Sequence, residues 1–199
     1  NAVAQLLGAA FGSSGERCMA LSVAVAVGDE VADLLVQKLS KSMKNLKFGA
    51  YTDSTNDFGP VITKQHQQSV INHISSAEKQ GANIVVDGRD AIVSGYENGF
   101  YVGGTLIDKV TPQMDSYKAE IFGPVLQIVR VATMKDAMSL IDNHEYGNGT
   151  CIFTRDGEAA RYFSDHIKVG MVGVNIPLPV PVAYHSFGGW KRSLFGDLH

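Results

Sequence analysis

The chain has 199 residues, 45% of them hydrophobic and 19% charged, which is enough to bury one core of ordinary size. A formal net charge of −3 offers no positive field for a polyanion and argues against a nucleic-acid partner. No apolar run approaches the ~20 residues that span a bilayer, so no membrane segment is expected. The chain begins without methionine or a basic leader, so we expect a soluble fragment of a longer protein.

The first half of the chain predicts three helices and two strands. A first helix precedes the glycine-containing loop 11–18, and a strand follows over 23–27. Asp29 is expected to cap a second helix whose inner face carries Val31, Leu34, Leu35, Leu39 and Met43. A third helix begins at Thr63, stops at Gly81, which favours a left-handed helix end, and places inward Val70, Ile71, Ile74 and Ala77. The run 84–86 predicts the second strand.

The second half alternates in the same way. Strands are predicted over 125–131, 151–153 and 171–174, and helices begin at Thr133, with Asp136 three residues on, and at Asp156. Segment 87–105 is expected to be a hairpin or long loop on the rim, and the proline-rich segment 176–182 an extended loop. Alternating helices and strands, several apolar on both faces, predict an α/β class with a parallel sheet.

The two cysteines have different surroundings. Cys18 follows the loop Gly12-Ser-Ser-Gly-Glu-Arg17, and the adjacent cation favours the thiolate, the form that attacks. Cys151 lies in the apolar run 150–154, which is typical of a buried strand residue. A chain with a core of this size needs no disulfide, so we expect free thiols in a reducing compartment. Cys18 is the candidate nucleophile, although a small residue buried at a turn would fit the same pattern.

Segment 120–124, Glu-Ile-Phe-Gly-Pro, places a carboxylate and an aromatic ring on one side of an extended pair before a sharp turn. Taken alone, it is weak evidence for a site, and a strand end with one exposed acid and one core aromatic residue is the favoured interpretation.

Motifs for other chemistries are missing from the sequence. His66 and His73 are seven residues apart, which is not a zinc spacing, and neither Cys-x-x-Cys nor His-x-x-x-His occurs, so we expect no metal. Segment 12–15 does not match the Gly-x-Ser-x-Gly elbow of serine hydrolases. Neither Gly-x-Gly-x-x-Gly nor a Walker sequence occurs, so the chain has no complete phosphate-binding loop.

Three motifs in one order carry a family resemblance. Phe11-Gly-Ser-Ser-Gly-Glu-Arg-Cys18, Glu120-Ile-Phe-Gly-Pro124 and Ser186-Phe-Gly-Gly-Trp-Lys191 resemble the nucleophile loop, the nicotinamide-side motif and the Phe-Gly-Gly-x-Lys stretch of the aldehyde dehydrogenase superfamily. Segments 15–20, 146–150 and 174–181 are similar to its CoA-acylating methylmalonate-semialdehyde dehydrogenase branch. The resemblance covers essentially the whole chain.

The resemblance implies a fold and an extent. Residues 1–199 would form a three-layer α/β/α catalytic domain with a mostly parallel, twisted sheet. The N-terminal Rossmann-like cofactor domain, the oxyanion-hole asparagine, the position of the glutamate base in hydrolytic members and the last strand of the oligomerisation region would lie outside this sequence.

It also implies a role for five residues. Cys18 would be the nucleophile, and its backbone N–H would donate to the oxyanion. Glu120 would hold the nicotinamide ribose and Phe122 would pack on the nicotinamide. Arg17 would face the substrate carboxylate, and Phe187 would line the aldehyde pocket.

The implied reaction is the NAD-dependent oxidation of malonate or methylmalonate semialdehyde through a Cys18 thioester. Loss of CO₂ and acyl transfer to CoA would give acetyl-CoA or propionyl-CoA. The implied partners are the semialdehyde, NAD and CoA, with a homodimer or homotetramer at full length, in the cytoplasm of a bacterium or the mitochondrial matrix of a eukaryote. The 199-residue piece alone is expected to be inactive.

Three alternatives stay open on the sequence. A hydrolytic aldehyde dehydrogenase would release a free acid and needs a glutamate base to activate water. A cysteine hydrolase would pair Cys18 with one of the histidines. A non-catalytic interaction domain would keep its function without Cys18.

Overall fold

The computed structural model describes residues 1–196. The helices are α1 (Ala2–Phe11), α2 (Asp29–Met43), α3 (Lys64–Lys79), α4 (Asp115–Lys118), α5 (Met134–Asn143) and α6 (Gly157–His166), with a 3₁₀ turn at Gly12–Gly15. The strands are β1 (Val23–Val27), β2 (Asn83–Val86), β3 (Thr105–Asp108), β4 (Val125–Val131), β5 (Tyr146–Gly147), β6 (Gly149–Ile152), β7 (Met171–Val174) and β8 (Trp190–Lys191).

The main sheet has four strands in the order β1-β4-β3-β2. Strand β4 pairs in parallel with both β1 and β3, and only β2 at the edge runs antiparallel. Strands β6 and β7 form a separate parallel pair, and β5 and β8 form a short antiparallel pair. The expected α/β class with a mostly parallel sheet is confirmed.

Helices cover both faces of this sheet because successive strand residues point to opposite sides. On one face, Ile107 and Val129 pack with the α3 residues Val70, Ile74 and Ala77. On the other face, Leu106, Leu126 and Ile128 pack with residues of α1 and α2 that include Leu6, Phe11 and Leu39. The result is the three-layer α/β/α arrangement.

Several helices begin where the sequence predicts. Thr133 and Asp136 form a reciprocal capping box, Asp156 accepts two backbone N–H groups, and Thr63 accepts the backbone N–H of His66. The start of α2 differs, because Gly28, with φ of 89°, occupies the cap position and Asp29 is the first helical residue.

The inner face of α2 also differs from the prediction. Val31 and Leu34 are 56% and 50% exposed, whereas Ala32, Leu39 and Met43 are buried. Val31 and Leu35 instead border an open cavity beside β1. The helical period was predicted correctly, but only part of the apolar face reaches the core.

Segment 87–105 is a long connection between the antiparallel strands β2 and β3, and its last residue, Thr105, begins β3. The expected rim position is wrong for part of it, because Tyr101 and Val102 are only 5% and 1% exposed. Segment 176–182 contains no strand, as expected. Within residues 1–196, none of the helices has the length and apolar character needed to cross a membrane.

Candidate active site

The site lies at the edge of the sheet where β1 and β4 begin. Cys18 precedes β1 by five residues, and Gly123 precedes β4 by two. Because adjacent parallel strands start at the same edge, the nucleophile loop (residues 12–20) and the segment 120–124 are placed side by side.

The two segments touch through their glycines. Ser13, Ser14 and Gly15 have φ of 53°, 57° and 70°, so the nucleophile loop turns through the left-handed region. A Cβ atom on Gly15 would lie 2.2 Å from the carbonyl oxygen of Gly123, which is inside any permitted contact. The Ser14 Oγ donates to the carbonyl of Gly59 at 2.8 Å. The backbone of the nucleophile loop therefore rests directly on the backbone of segment 120–124.

Cys18 itself is exposed, carries a free thiol and sits with Met19 at the centre of a turn. The turn is closed by a 3.0 Å hydrogen bond from the Ala20 N–H to the Arg17 carbonyl. The carbonyl of Cys18 accepts a hydrogen bond from Asn148 Nδ2 at 3.2 Å. The backbone of Cys18 is thus held by a side chain 130 residues further along the chain.

Arg17 turns its guanidinium toward the end of α1. Its Nη2 donates to the carbonyls of Gly8 and Ala9 at 2.9 and 3.3 Å, in the last turns of α1, where these oxygens also accept the backbone N–H groups of Gly12 and Leu21. Its Nε is buried without a hydrogen-bond partner among the described residues. The structure therefore gives Arg17 an anchoring contact for the nucleophile loop, and its predicted role toward a substrate carboxylate stays a prediction.

His66, on α3, joins the two site segments. Its Nε2 lies 2.7 Å from the carbonyl oxygen of Phe122 and 3.5 Å from Glu16 Oε1. Since a carbonyl only accepts, this nitrogen carries a proton. Glu16 also accepts the backbone N–H of Ile62 at 3.1 Å. Phe122 has φ of 54°, a conformation uncommon for a bulky residue, so the hydrogen bond from His66 holds a strained backbone in place.

A cavity of about 950 Å³ opens beside these segments. Its wall includes Arg17, Cys18, Glu120 and Phe122. The Phe122 side chain is 38% exposed, and Glu120 is also exposed. Four of the five residues selected from the sequence therefore line the same cavity.

Phe187 is the fifth selected residue, and it does not line this cavity. It is half-buried in the C-terminal segment before β8. Its role in lining an aldehyde pocket stays a prediction.

Cys151 lies in β6 and differs from Cys18 in its exposure. Burial raises the pKa of its thiol from 9.0 to about 11, because the thiolate loses solvation in an apolar setting. The thiol of Cys151 is therefore held in its unreactive form at neutral pH.

The arrangement defines a class of protein: an α/β enzyme in which an exposed cysteine shares one cavity with a carboxylate and an exposed aromatic ring. Within residues 1–196, no group of three or more His, Cys, Asp and Glu side chains is placed to hold a metal ion. An exposed cysteine thiol is a group that can act as a nucleophile.

The particular family follows from comparison with known proteins. The model of the aldehyde dehydrogenase family matches residues 1–199. The chain belongs to the aldehyde dehydrogenase family, which confirms the family predicted from the three motifs.

Its relatives point to one branch of that family. The chain is 66% identical over 199 residues to malonate-semialdehyde dehydrogenase of Pseudomonas aeruginosa, covering 100% of the chain and 40% of that protein. The solved structure of methylmalonate-semialdehyde dehydrogenase from Oceanimonas doudoroffii is 78% identical, with a TM-score of 0.97 over 100% of the chain and 41% of that structure. A putative methylmalonate-semialdehyde dehydrogenase from Sinorhizobium meliloti, complexed with NAD, is 58% identical, with a TM-score of 0.97 over 99% and 40%. The chain thus spans 40% of the length of the curated relatives that it matches over its whole length.

Sequence reasoning missed three residues of the site: Glu16, His66 and Asn148. His66 was considered only as a metal ligand, and its spacing gave no sign of a contact 56 positions away. Asn148 lies inside segment 146–150, which carried part of the resemblance, but no local pattern indicates that its amide reaches Cys18.

Proposed function

We propose that this chain is the catalytic domain of a longer enzyme that oxidises malonate or methylmalonate semialdehyde with NAD and transfers the acyl group to CoA. The observation that carries the proposal is that the exposed Cys18 thiol lines the same cavity as Glu120 and Phe122. The substrate class is supported by the names of the relatives from Pseudomonas aeruginosa and Oceanimonas doudoroffii. We also propose a homo-oligomer at full length, in the cytoplasm of a bacterium.

The proposed chemistry begins with Cys18. Its thiolate adds to the aldehyde carbon to give a thiohemiacetal, and the backbone N–H of Cys18 donates to the developing oxyanion, where one such donor typically contributes ~10²–10³ in rate. Loss of hydride from the former aldehyde carbon leaves a Cys18 thioester. Bound NAD supplies the acceptor for that hydride.

The residues present fit the nicotinamide end of NAD. Glu120 offers an exposed carboxylate as an acceptor for ribose hydroxyls, and Phe122 offers an exposed ring in the cavity that Cys18 also lines. The sequence has no glycine-rich phosphate loop, so the remaining NAD contacts belong to the rest of the full-length enzyme.

The acyl group then loses CO₂ and leaves the enzyme. The bond between the carboxylate carbon and the α-carbon breaks, its electron pair is delocalised as a thioester enolate, and the α-carbon takes a proton. The CoA thiol attacks the thioester, and the Cys18 thiolate departs. The products are acetyl-CoA or propionyl-CoA, CO₂ and NADH.

The nucleophile is tested by substitution in the full-length enzyme. Cys18→Ala should abolish NADH formation, and Cys151→Ala, the matched control, should retain it at a modest cost in stability. Normal turnover by Cys18→Ala would refute the proposed nucleophile.

The acyl acceptor is tested by transient kinetics. Without CoA, full-length enzyme should release a burst of NADH near one equivalent per active site and then slow sharply, because acylation precedes any need for CoA. Adding CoA should restore turnover and yield an acyl-CoA detectable by mass spectrometry. Fast steady release of free acid without CoA would favour a hydrolytic aldehyde dehydrogenase instead.

A further inference from the structure

In the turn that carries Cys18, one backbone carbonyl is hydrogen-bonded to a residue outside the turn. The hydrogen bond from the Ala20 N–H to the Arg17 carbonyl joins the ends of the turn. The carbonyl between Cys18 and Met19 takes no part in that bond. It is held instead by Asn148, whose Nδ2 donates to it at 3.2 Å.

The backbone around Asn148 is itself held by hydrogen bonds. Its backbone carbonyl accepts the N–H of Met171 at 3.0 Å, at the start of the parallel pair β6 and β7. The preceding Gly147 is buried, and its N–H donates to Ser193 Oγ at 2.8 Å. The amide of Asn148 is therefore presented to the nucleophile loop from a backbone that is hydrogen-bonded on both sides.

A second contact joins the same two segments. The end of the Met19 side chain lies so close to Gly149 that a Cβ atom there would be 2.5 Å from the methionine Cε. Residues 18–19 of the loop thus rest on residues 148–149 through one polar and one apolar contact. Asn148 and Cys18 both line the cavity of about 950 Å³ described above.

We propose that Asn148 is a positioning residue for the nucleophile. Its amide holds the carbonyl of Cys18, and thereby keeps the thiol aimed into the cavity that the aldehyde enters. This inference rests on the proposed function, because the aim of the thiol matters only where Cys18 attacks. Misplacing a reacting group by about 1 Å can cost 10²-fold in rate, so a single backbone contact at this position has a measurable effect.

The test compares three variants of the full-length enzyme. Asn148→Ser removes the amide, and Asn148→Asp keeps the shape of the side chain but replaces the donor with an acceptor. The matched control is Asn56→Asp, because Asn56 Nδ2 also donates to a backbone carbonyl, that of Ala50 at 3.1 Å, and is similarly half-buried. Asn56 lies in a turn that takes no part in the cavity.

The measurement is the NADH burst with malonate semialdehyde and NAD in the absence of CoA. We expect both Asn148 variants to lower the burst rate constant about five- to tenfold, as for loss of one hydrogen bond that orients a reacting group. The burst amplitude and the KM for NAD should stay at the wild-type values, because each correctly folded site still reacts once. Asn56→Asp should match the wild type in rate constant and amplitude.

Two results would overturn the inference. One is a burst rate constant equal to that of Asn56→Asp, and the other is a loss of amplitude alone, which would make Asn148 a structural residue. If Asn148→Ser does not fold, the near-isosteric Asn148→Asp carries the test.

A wild-type enzyme without any burst would instead refute the proposed function. In that case, the alkylation rate of Cys18 by iodoacetamide, followed by mass spectrometry, still tests Asn148. A slower rate in Asn148→Ser than in Asn56→Asp would support the positioning role, and equal rates would overturn it.

Discussion

Replacing Gly15 with alanine tests the contact that joins the two halves of the site. The new Cβ would lie 2.2 Å from the Gly123 oxygen and 3.1 Å from the Ala10 oxygen, and both obstacles are backbone atoms. Residue 15 also has φ of 70°, which costs an alanine about 1–2 kcal/mol. Relieving the overlap adds about 1–3 kcal/mol, as for other overpacked positions. We expect a loss of about 2–5 kcal/mol in unfolding free energy and a slower NADH burst, because the nucleophile loop must move away from segment 120–124.

Gly95→Ala separates the two contributions. Gly95 has φ of 80°, close to that of Gly15, and a Cβ atom there would meet nothing within 4 Å, so the variant carries only the conformational cost. Urea denaturation of both variants in the full-length enzyme, with the burst rate measured in parallel, gives the difference. Equal losses of stability in the two variants, with an unchanged burst rate in Gly15→Ala, would refute the close contact between Gly15 and Gly123.

Three further changes test other contacts of the site. Arg17→Leu should lower turnover on propanal, because the loop loses its contact with α1, and should in addition raise the KM for carboxylated aldehydes. An unchanged propanal rate would exclude the anchoring role, and equal losses on propanal and on carboxylated aldehydes would exclude the carboxylate role. His66→Ala should slow the NADH burst about fivefold, the equivalent of one hydrogen bond, and His66→Gln should restore most of it; a glutamine variant as slow as alanine would argue against the bond to Phe122. Burial raises the pKa of Cys151 from 9.0 to about 11, so the stabilisation from its protonated thiol is complete below pH 9 and declines as pH rises toward 11. Iodoacetamide at pH 8 should therefore label Cys18 in preference to Cys151. Equal labelling of the two cysteines in the native protein would refute the burial of Cys151.

The elements that the sequence predicts correctly are those with strong local signals. Thr63, Thr133 and Asp156 cap helices because each carries a short oxygen-bearing side chain directly before an amphipathic run. Strand β4 has an apolar run long enough to be recognised without its partners. Strand β3 was missed because it has only four residues beside a glycine-rich segment, and its burial depends on pairing with β2 and β4.

The residues of the site also include some that the sequence predicts and some that it does not. Cys18, Glu120 and Phe122 were selected from motifs, and the parallel pairing of β1 and β4 explains why they meet. The anchors of these residues were not predictable, because Asn148 and His66 contact the site only across the folded chain. For Arg17, the contact predicted from the sequence differs from the contact seen in the structure. Its position beside the nucleophile predicts a substrate contact, but only the structure reveals that its Nη2 is already bound to carbonyls of α1.

The anchors of the nucleophile loop come from separate parts of the fold, which bears on how the site holds its shape. Arg17 ties the loop to α1, Gly15 rests it on segment 120–124, and Asn148 ties it to the start of β6. A loop that turns through the left-handed region at residues 13–15 is strained, and such a conformation persists only where the surrounding structure holds it from several sides. The short Gly-Ser-Ser-Gly sequence therefore allows the turn, and the contacts with distant residues stabilise it, so the proposed nucleophile Cys18 is held in one position relative to the cavity.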